Sequence, residues 1–97
     1  MAIDNLTMLQ AELNMRSAPA TRLEQLQQLL DVAASRIKKY GITLDSKDPS
    51  DAQLQVEYAA WLYRRRAQAD AAIMPTYLSH DLKDRLVAEK ARVTDGT

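Results

Sequence analysis

The chain has 97 residues, with 13 Lys and Arg against 13 Asp and Glu, no Cys and two Gly. The lack of cysteine excludes a disulfide scaffold, a thiolate zinc site, an iron–sulfur cluster and a cysteine nucleophile. Two glycines are too few for the phosphate-binding loops of P-loop or dinucleotide-binding proteins. At this length the chain can form at most one domain, which spans residues 1–97 and has a core of modest size.

The charge is balanced along the chain as well as in total. Six basic residues stand against six acidic ones up to Asp48, and seven against seven from Pro49 onward. Phosphate neutralisation supplies much of the affinity of nucleic-acid binders, so this balance argues against a protein whose main task is to hold nucleic acid. The longest apolar run is the six residues 58–63, and neither a signal peptide nor a membrane span is predicted.

A short helix and a long helix are predicted in the N-terminal half. The first runs from Asp4, as N-cap, to Asn14 and shows leucines at helical spacing. The second starts at Thr21, where Thr21 and Glu24 have the spacing of a capping box, and it ends at Gly41. The apolar arc of this second helix consists of Leu23, Leu26, Leu29, Leu30, Ala33, Ala34, Ile37 and Tyr40.

The third predicted helix is apolar on two opposite sides. It has Asp48 as N-cap and Pro49 as its first residue, and it continues to about Arg66. Such a helix either lies at the centre of its domain or has one face committed to another subunit, and the small core gives weight to the second arrangement. One side carries Ala52, Val56, Ala59, Ala60 and Tyr63, and the other carries Leu54, Tyr58, Trp61 and Leu62.

The last helix is predicted from Pro75 to about Val93, followed by a flexible C-terminal tail over residues 94–97. Residues 41–47, between the second and third helices, are expected to form a brief extended stretch. The fold class is therefore all-α, a small bundle of three long helices plus a short N-terminal helix. The last helix has a narrow apolar stripe of Leu78, Leu82, Leu86 and Val93, beside i,i+4 ion pairs among Asp81, Arg85 and Glu89.

No group of residues marks a catalytic or metal site. His80 and Asp84 have the spacing of two metal ligands on one helix face, but structural and catalytic sites normally need three or four. Asp45, Asp48 and Asp51 lack the central glycine and late glutamate of a calcium loop and are interpreted as turn and cap residues. Neither a metal nor a cofactor is predicted, and the chain is not expected to be an enzyme.

The sharpest charge feature is the triplet Arg64, Arg65 and Arg66. Successive helical residues point about 100° apart, so the three side chains fan out and do not form one flat basic patch. Compensation of the helix dipole is the default interpretation, while contacts with nucleic acid or with an acidic partner surface stay open. Nearby aromatic residues are most often core, yet they are also common at the centres of protein interfaces. The candidate interface residues are Tyr58, Trp61, Leu62, Arg64, Arg65 and Arg66.

Three stretches of the sequence together suggest a family. They are residues 33–41 (AASRIKKYG), 48–54 (DPSDAQL) and 58–66 (YAAWLYRRR), and a closing helix with Met74, Pro75 and leucines follows them. From Thr21 to Ala91 the chain resembles the small head–tail connector, or head-completion adaptor, proteins of tailed double-stranded-DNA phages and prophages.

This resemblance implies a non-catalytic adaptor that forms a ring, commonly of about twelve subunits, below the portal of a filled phage head. The implied partners are further copies of the chain, the portal protein and a stopper or tail-completion protein, while DNA passes through without specific binding. The implied location is the head–tail junction of the virion, after synthesis in the host bacterial cytoplasm, with no membrane contact. The alternative is a small helical nucleic-acid-binding regulator using Arg64, Arg65 and Arg66, and a small helical enzyme is the third possibility.

Overall fold

A computed structural model of the protein describes residues 5–15, 19–45, 47–67 and 73–95, the side chains of 67 and 91–95 excepted. Within these ranges the chain forms four helices and no strand. The helices are α1 (Asn5–Glu12), α2 (Ala20–Lys39), α3 (Pro49–Ala67) and α4 (Thr76–Asp95). The predicted all-α fold of three long helices and a short first one is confirmed. No helix in these ranges is both long enough and apolar enough to cross a bilayer.

α1 ends in a turn built on Asn14. This residue has a φ of 59°, in the left-handed region that asparagine tolerates better than most side chains. Its N–H donates to the carbonyl of Ala11 at 3.1 Å, and the N–H of Met15 donates to the carbonyl of Gln10 at 2.7 Å. These two bonds define a Schellman ending, so the predicted end of the first helix falls within this turn. The predicted N-cap, Asp4, lies outside the described residues.

The start of α2 differs from the prediction. The N-cap residue is Pro19, with φ −64° and ψ 159°, and no side chain caps the helix. The Pro19 carbonyl accepts a bond from the N–H of Leu23 at 3.0 Å, so Thr21 already lies inside the first turn. The predicted capping box at Thr21 and Glu24 is therefore wrong. Proline, with its φ fixed near the observed value and an extended ψ, supplies the last non-helical residue instead.

The end of α2 agrees with the prediction. Gly41 has a φ of 98°, which favours glycine, and its N–H donates to the carbonyl of Lys38 at 2.9 Å. Ile42, directly after it, is buried in the core, and Leu44 packs against the core from a partly buried position. Residues 42–45 belong to neither helix nor strand, and these two side chains fix the connection against the helices.

α3 lies at the centre of the bundle and contacts the other three helices. Its helix start is as predicted, since the Asp48 carboxylate accepts a bond from the N–H of Ser50 at 2.9 Å. The expectation that one face of this helix is left for another subunit is wrong, because α1, α2 and α4 all pack around it within one chain. Buried residues occur on both of its apolar sides: Val56, Ala59 and Ala60 on one, and Leu54, Tyr58, Trp61 and Leu62 on the other.

α4 starts and ends slightly later than predicted. The Pro75 carbonyl accepts a bond from the N–H of Ser79 at 3.0 Å, so Pro75 is the N-cap and not the first helical residue. The helix continues to Asp95, so residues 94 and 95 of the predicted flexible tail are helical, and residues 96–97 lie outside the described ranges. The predicted stripe packs inward through the buried Leu78 and Leu82 and the partly buried Leu86.

A polar cluster joins α4 to the start of α3. Arg85 donates to the carboxylate of Asp51, to the carbonyl and hydroxyl of Ser50 at 2.8 and 2.7 Å, and to Asp81 at 3.2 Å. Asp51 is buried and also accepts a bond from the N–H of Asp45 at 2.7 Å. The predicted pair of Asp81 with Arg85 is confirmed, but Arg85 is shared with α3. Burial lowers the pKa of Arg85, and the bonds and charges of Asp51 and Asp81 more than offset this, so the pKa is raised.

Candidate functional site

The three apolar residues of the predicted interface are core residues. Tyr58 is 1% exposed, Leu62 is 3% exposed and Trp61 is 9% exposed. The rings of Tyr58 and Trp61 form an edge-to-face pair, with centroids 5.5 Å apart and planes at 87°. These side chains therefore stabilise the bundle itself, and the folded chain does not present their rings as a surface for a partner.

The three consecutive arginines have different environments, as their spacing predicts. Arg64 donates to the carbonyl of Glu12 at 3.1 Å and lies 3.8 Å from its carboxylate, so it covers the C-terminal end of α1. The guanidinium of Arg65 lies 5.2 Å from the centre of the Trp61 ring, in a cation–π arrangement. Arg66 is exposed. The triplet forms no flat basic patch, and Arg64 interacts with α1 as well as lying near the end of its own helix.

The acidic residues before and within the first turn of α3 have structural roles. The Asp45 carboxylate accepts a bond from the N–H of Lys47 at 2.9 Å, and Asp48 is the N-cap of α3. These observations confirm the interpretation of both residues as turn and cap residues. His80 is exposed on α4. In the described ranges no three His, Cys, Asp or Glu side chains come together as a possible metal site.

The surface around Tyr40 was not predicted as a site. Tyr40 is the C-cap residue of α2 and is 50% exposed, although the sequence places it on the apolar arc. On one side of it lies an apolar groove of about 200 Å³ between the end of α2 and α4. On the other side lies a shallow basic depression of about 420 Å³. Together they form the Tyr40 surface: Tyr40, Met74, Ser79, Leu82, Lys83 and Leu86 line the groove, and Arg36, Lys39, Tyr40 and Tyr58 line the depression.

The hydroxyl of Tyr58 belongs to this surface even though its ring is buried. Tyr58 lines the depression together with Tyr40 and Arg36. Burial raises the pKa of Tyr58 and Tyr40 raises it further, while the Arg36 charge acts in the opposite direction with a smaller effect. Because this pKa is raised above its usual value near 10, the Tyr58 hydroxyl is neutral at physiological pH.

The depression is locally basic in a chain of zero net charge. Arg36, Lys38 and Lys39 occupy the last turn of α2, and residues 32–44 contain no Asp or Glu. The C-terminal end of a helix carries a partial charge equivalent to about half a negative elementary charge, which one cation is enough to balance. Three cations exceed that charge, so the end of α2 has positive charge left for an external anion.

Sequence reasoning missed this surface because its two halves come from distant parts of the chain. The cations of α2 have an ordinary explanation at a helix end, and Met74 and Leu86 join Tyr40 only after α4 has packed. The one available signal was the position of Tyr40, where the last member of an apolar arc directly precedes the glycine that ends the helix.

Comparisons with other proteins give no further guidance. None of the known protein-family models, curated proteins or solved structures matches this chain. A function for the chain therefore has to be proposed from its own residues and their geometry.

Proposed function

We propose that the protein is a structural adaptor that works by binding other proteins, of the kind that joins head and tail in tailed double-stranded-DNA phages. The observation that carries this proposal is the Tyr40 surface. Its apolar groove lies next to the basic depression, and the half-exposed ring of Tyr40 lines both. Exposed apolar groups next to polar ones, with aromatic side chains, are typical of protein-binding surfaces.

In this proposal, copies of the chain form a ring below the portal and offer a platform to a stopper or tail-completion protein. Each subunit of a ring uses two different surfaces, one toward each neighbour. Both faces of α3 are covered within the chain, so these contacts are made by the outside of the bundle. The exposed Tyr77 and Val87 of α4 supply apolar groups for contacts between subunits, and the Tyr40 surface is left for the portal.

The proposal is tested by assembly on a portal. Purified chain is mixed with the portal complex encoded nearest to its reading frame, and the products are measured by native mass spectrometry and light scattering. We expect concentration-dependent association of the chain alone, or a multi-copy complex with the portal, because a template raises the local concentration of weakly associating subunits. A strict monomer at millimolar concentration that also fails to bind the portal would contradict the proposal.

A pair of variants on α2 makes this test specific. Tyr40→Glu places a charge in the groove and is expected to prevent assembly, whereas Val32→Glu adds the same charge on the exposed side of the same helix and is expected to have no effect. Circular dichroism checks that both variants remain helical. Titration with duplex DNA at two salt concentrations examines the nucleic-acid alternative, since a true binder shows affinity that falls steeply with salt.

A further inference from the structure

We propose that the Tyr40 surface binds an acidic, amphipathic segment of a partner protein. An apolar side chain of that segment occupies the groove, and a neighbouring carboxylate occupies the basic depression. This inference rests on the proposed function, because it specifies the chemistry of a partner that an adaptor binds. It is argued from the lining of the two depressions, their charge and their common boundary.

The groove suits one large apolar side chain. Its walls come from Tyr40 at the end of α2 and from Met74, Leu82 and Leu86, which continue the hydrophobic core to the surface. A cavity of about 150 Å³ lined by apolar groups is enough to bind benzene, so a groove of about 200 Å³ has room for a leucine or an aromatic side chain. Burial of that side chain supplies a favourable hydrophobic contribution.

The basic depression supplies the selectivity for an acid. Arg36 and Lys39 line it, and Lys83 lines the neighbouring groove. Among the described residues, no carboxylate lines either depression. A guanidinium group binds a carboxylate through two parallel hydrogen bonds, and a lysine beside it adds a second charge. Tyr40 and Tyr58 also line this depression, and a tyrosine hydroxyl can donate or accept a hydrogen bond. The complementary occupant is therefore a carboxylate of Asp, Glu or a chain end.

The common boundary favours a peptide segment as the occupant. Tyr40 lines both depressions, so an occupant that fills both has its apolar and acidic groups side by side. Residues three or four apart on a helix have this relation, which an amphipathic helix with Leu and Glu at such spacing provides. A nucleic-acid backbone would satisfy the cations but would leave the apolar groove without a complementary group.

The experiment uses the full chain and three synthetic peptides of about 15 residues, a length at which isolated helices begin to form. One peptide is an amphipathic helix of Leu and Glu, the second has Lys in place of every Glu, and the third has Ala in place of every Leu. Binding is followed through amide chemical shifts in two-dimensional NMR. We expect the first peptide to shift signals around Tyr40 and along α4 from residues 79 to 86, and to bind at least about tenfold more tightly than the others. Its affinity should fall as salt is added.

Variants of the chain provide the matched control. The double variant Arg36→Gln/Lys39→Gln removes two exposed cations from the depression and is expected to weaken binding of the acidic peptide about tenfold. The variant Lys47→Gln removes an exposed cation that lines neither depression and is expected to retain the affinity. Lys83→Gln, on a different helix, is an independent check that does not alter α2, and a loss of affinity is expected there too.

Several results would overturn the inference. The first is binding of the basic peptide with the same affinity as the acidic one, and the second is a set of chemical-shift changes confined to another surface. The third is an equal loss of affinity in the control variant, and the fourth is tighter binding of a duplex DNA probe to the same residues. Concentration-dependent shifts at the same residues without peptide would instead assign this surface to a second copy of the chain. Portal assembly is measured separately. Assembly without peptide binding removes this inference alone, and peptide binding without assembly removes the proposed function alone.

Discussion

α3 and α4 have nearly the same length, 19 and 20 residues, but they are held in different ways. α3 buries two opposite sides against the other three helices. α4 is attached by a narrow stripe of leucines and by the bonds of Arg85 to the first turn of α3. Its Tyr77 and Val87 are 52% and 68% exposed.

The difference shows that α3 mainly stabilises the core, whereas α4 mainly forms exposed surface. Among the described residues, α3 contributes more buried apolar side chains than any other helix, and α2 contributes most of the others. α4 adds fewer buried side chains, and a charged group fixes its position. Elements with few buried apolar contacts open at lower free energy than the core, so α4 is more easily displaced than α3. The same helix provides most of the groove beside Tyr40.

The largest expected effect is in the core. Leu30 of α2 is 1% exposed, and its carbonyl accepts a bond from the side chain of Gln55 on α3 at 3.0 Å. Leu30→Ala is therefore expected to lower the free energy of unfolding by about 2 to 5 kcal/mol, as for other buried leucines. Leu86→Ala, at the partly buried edge of α4, should cost less than about half of that because it removes less buried area. Urea unfolding measures both, and equal losses would contradict the division between core and α4.

The polar attachment of α4 is tested at Asp51. Asp51→Asn removes the charge that pairs with Arg85, whose side chain is only 19% exposed. We expect a loss of about 1.5 to 3 kcal/mol, the range for hydrogen bonds to charged groups. Hydrogen exchange should show amide protection lost mainly in α4. Asp84→Asn, an exposed acid on α4, is the control and is expected to change little. Uniform loss of protection in all helices would contradict a local role.

Features that depend on residues close together in the sequence could be predicted, whereas features that depend on distant residues could not. The end of α2 at Gly41 and the cap of α3 at Asp48 depend on a few adjacent residues, and both were predicted correctly. The capping box at Thr21 was also a local signal, but Pro19 two residues earlier set the helix start. The pattern of α3 left two arrangements open, and only the packing of the other helices shows that Tyr58 is a core residue.

The candidate site was less predictable than the fold because its contacts are long-range. Arg85 pairs with Asp51 across 34 positions, and Arg64 with Glu12 across 52. No periodicity within one helix contains that information. The Tyr40 surface likewise combines residues of α2, Met74 and residues of α4. Each of them has an ordinary explanation at its own position in the sequence.

A smaller effect is expected at the junction of α2 with α4. Gly41→Ala places a side chain at a φ of 98°, which costs about 1 to 2 kcal/mol for an L-amino acid. The added Cβ would lie 3.5 Å from Leu86 Cδ1, an ordinary contact, so the loss is conformational and not steric. Ser35→Ala, at an exposed position within α2, should be neutral or slightly stabilising. Thermal or urea unfolding measures both, and no loss for Gly41→Ala would contradict the constrained turn.

The smallest effect concerns two tyrosines, one in the core and one on α4. Burial raises the pKa of Tyr58, with a further contribution from Tyr40. Burial also raises the pKa of Tyr77, with further contributions from the charges of Glu57 and Glu12. In the unfolded chain a tyrosine ionises near pH 10. Above that pH the unfolded state loses its proton first, so the stability that these hydroxyls support is complete below about pH 10 and falls as the pH rises further.

Single variants separate the two contributions to this fall. Unfolding in urea is measured at a series of pH values on both sides of pH 10, for the parent chain and for Tyr58→Phe and Tyr77→Phe. Tyr58 is 1% exposed and Tyr77 is 52% exposed, so solvent screens the second group far more. Tyr58→Phe is therefore expected to flatten the alkaline decline more than Tyr77→Phe does. An equal flattening in the two variants would mean that the environment of the Tyr58 hydroxyl, beside Tyr40 and Arg36, does not differ from that of an exposed tyrosine. That result would contradict the distinction between the core and α4.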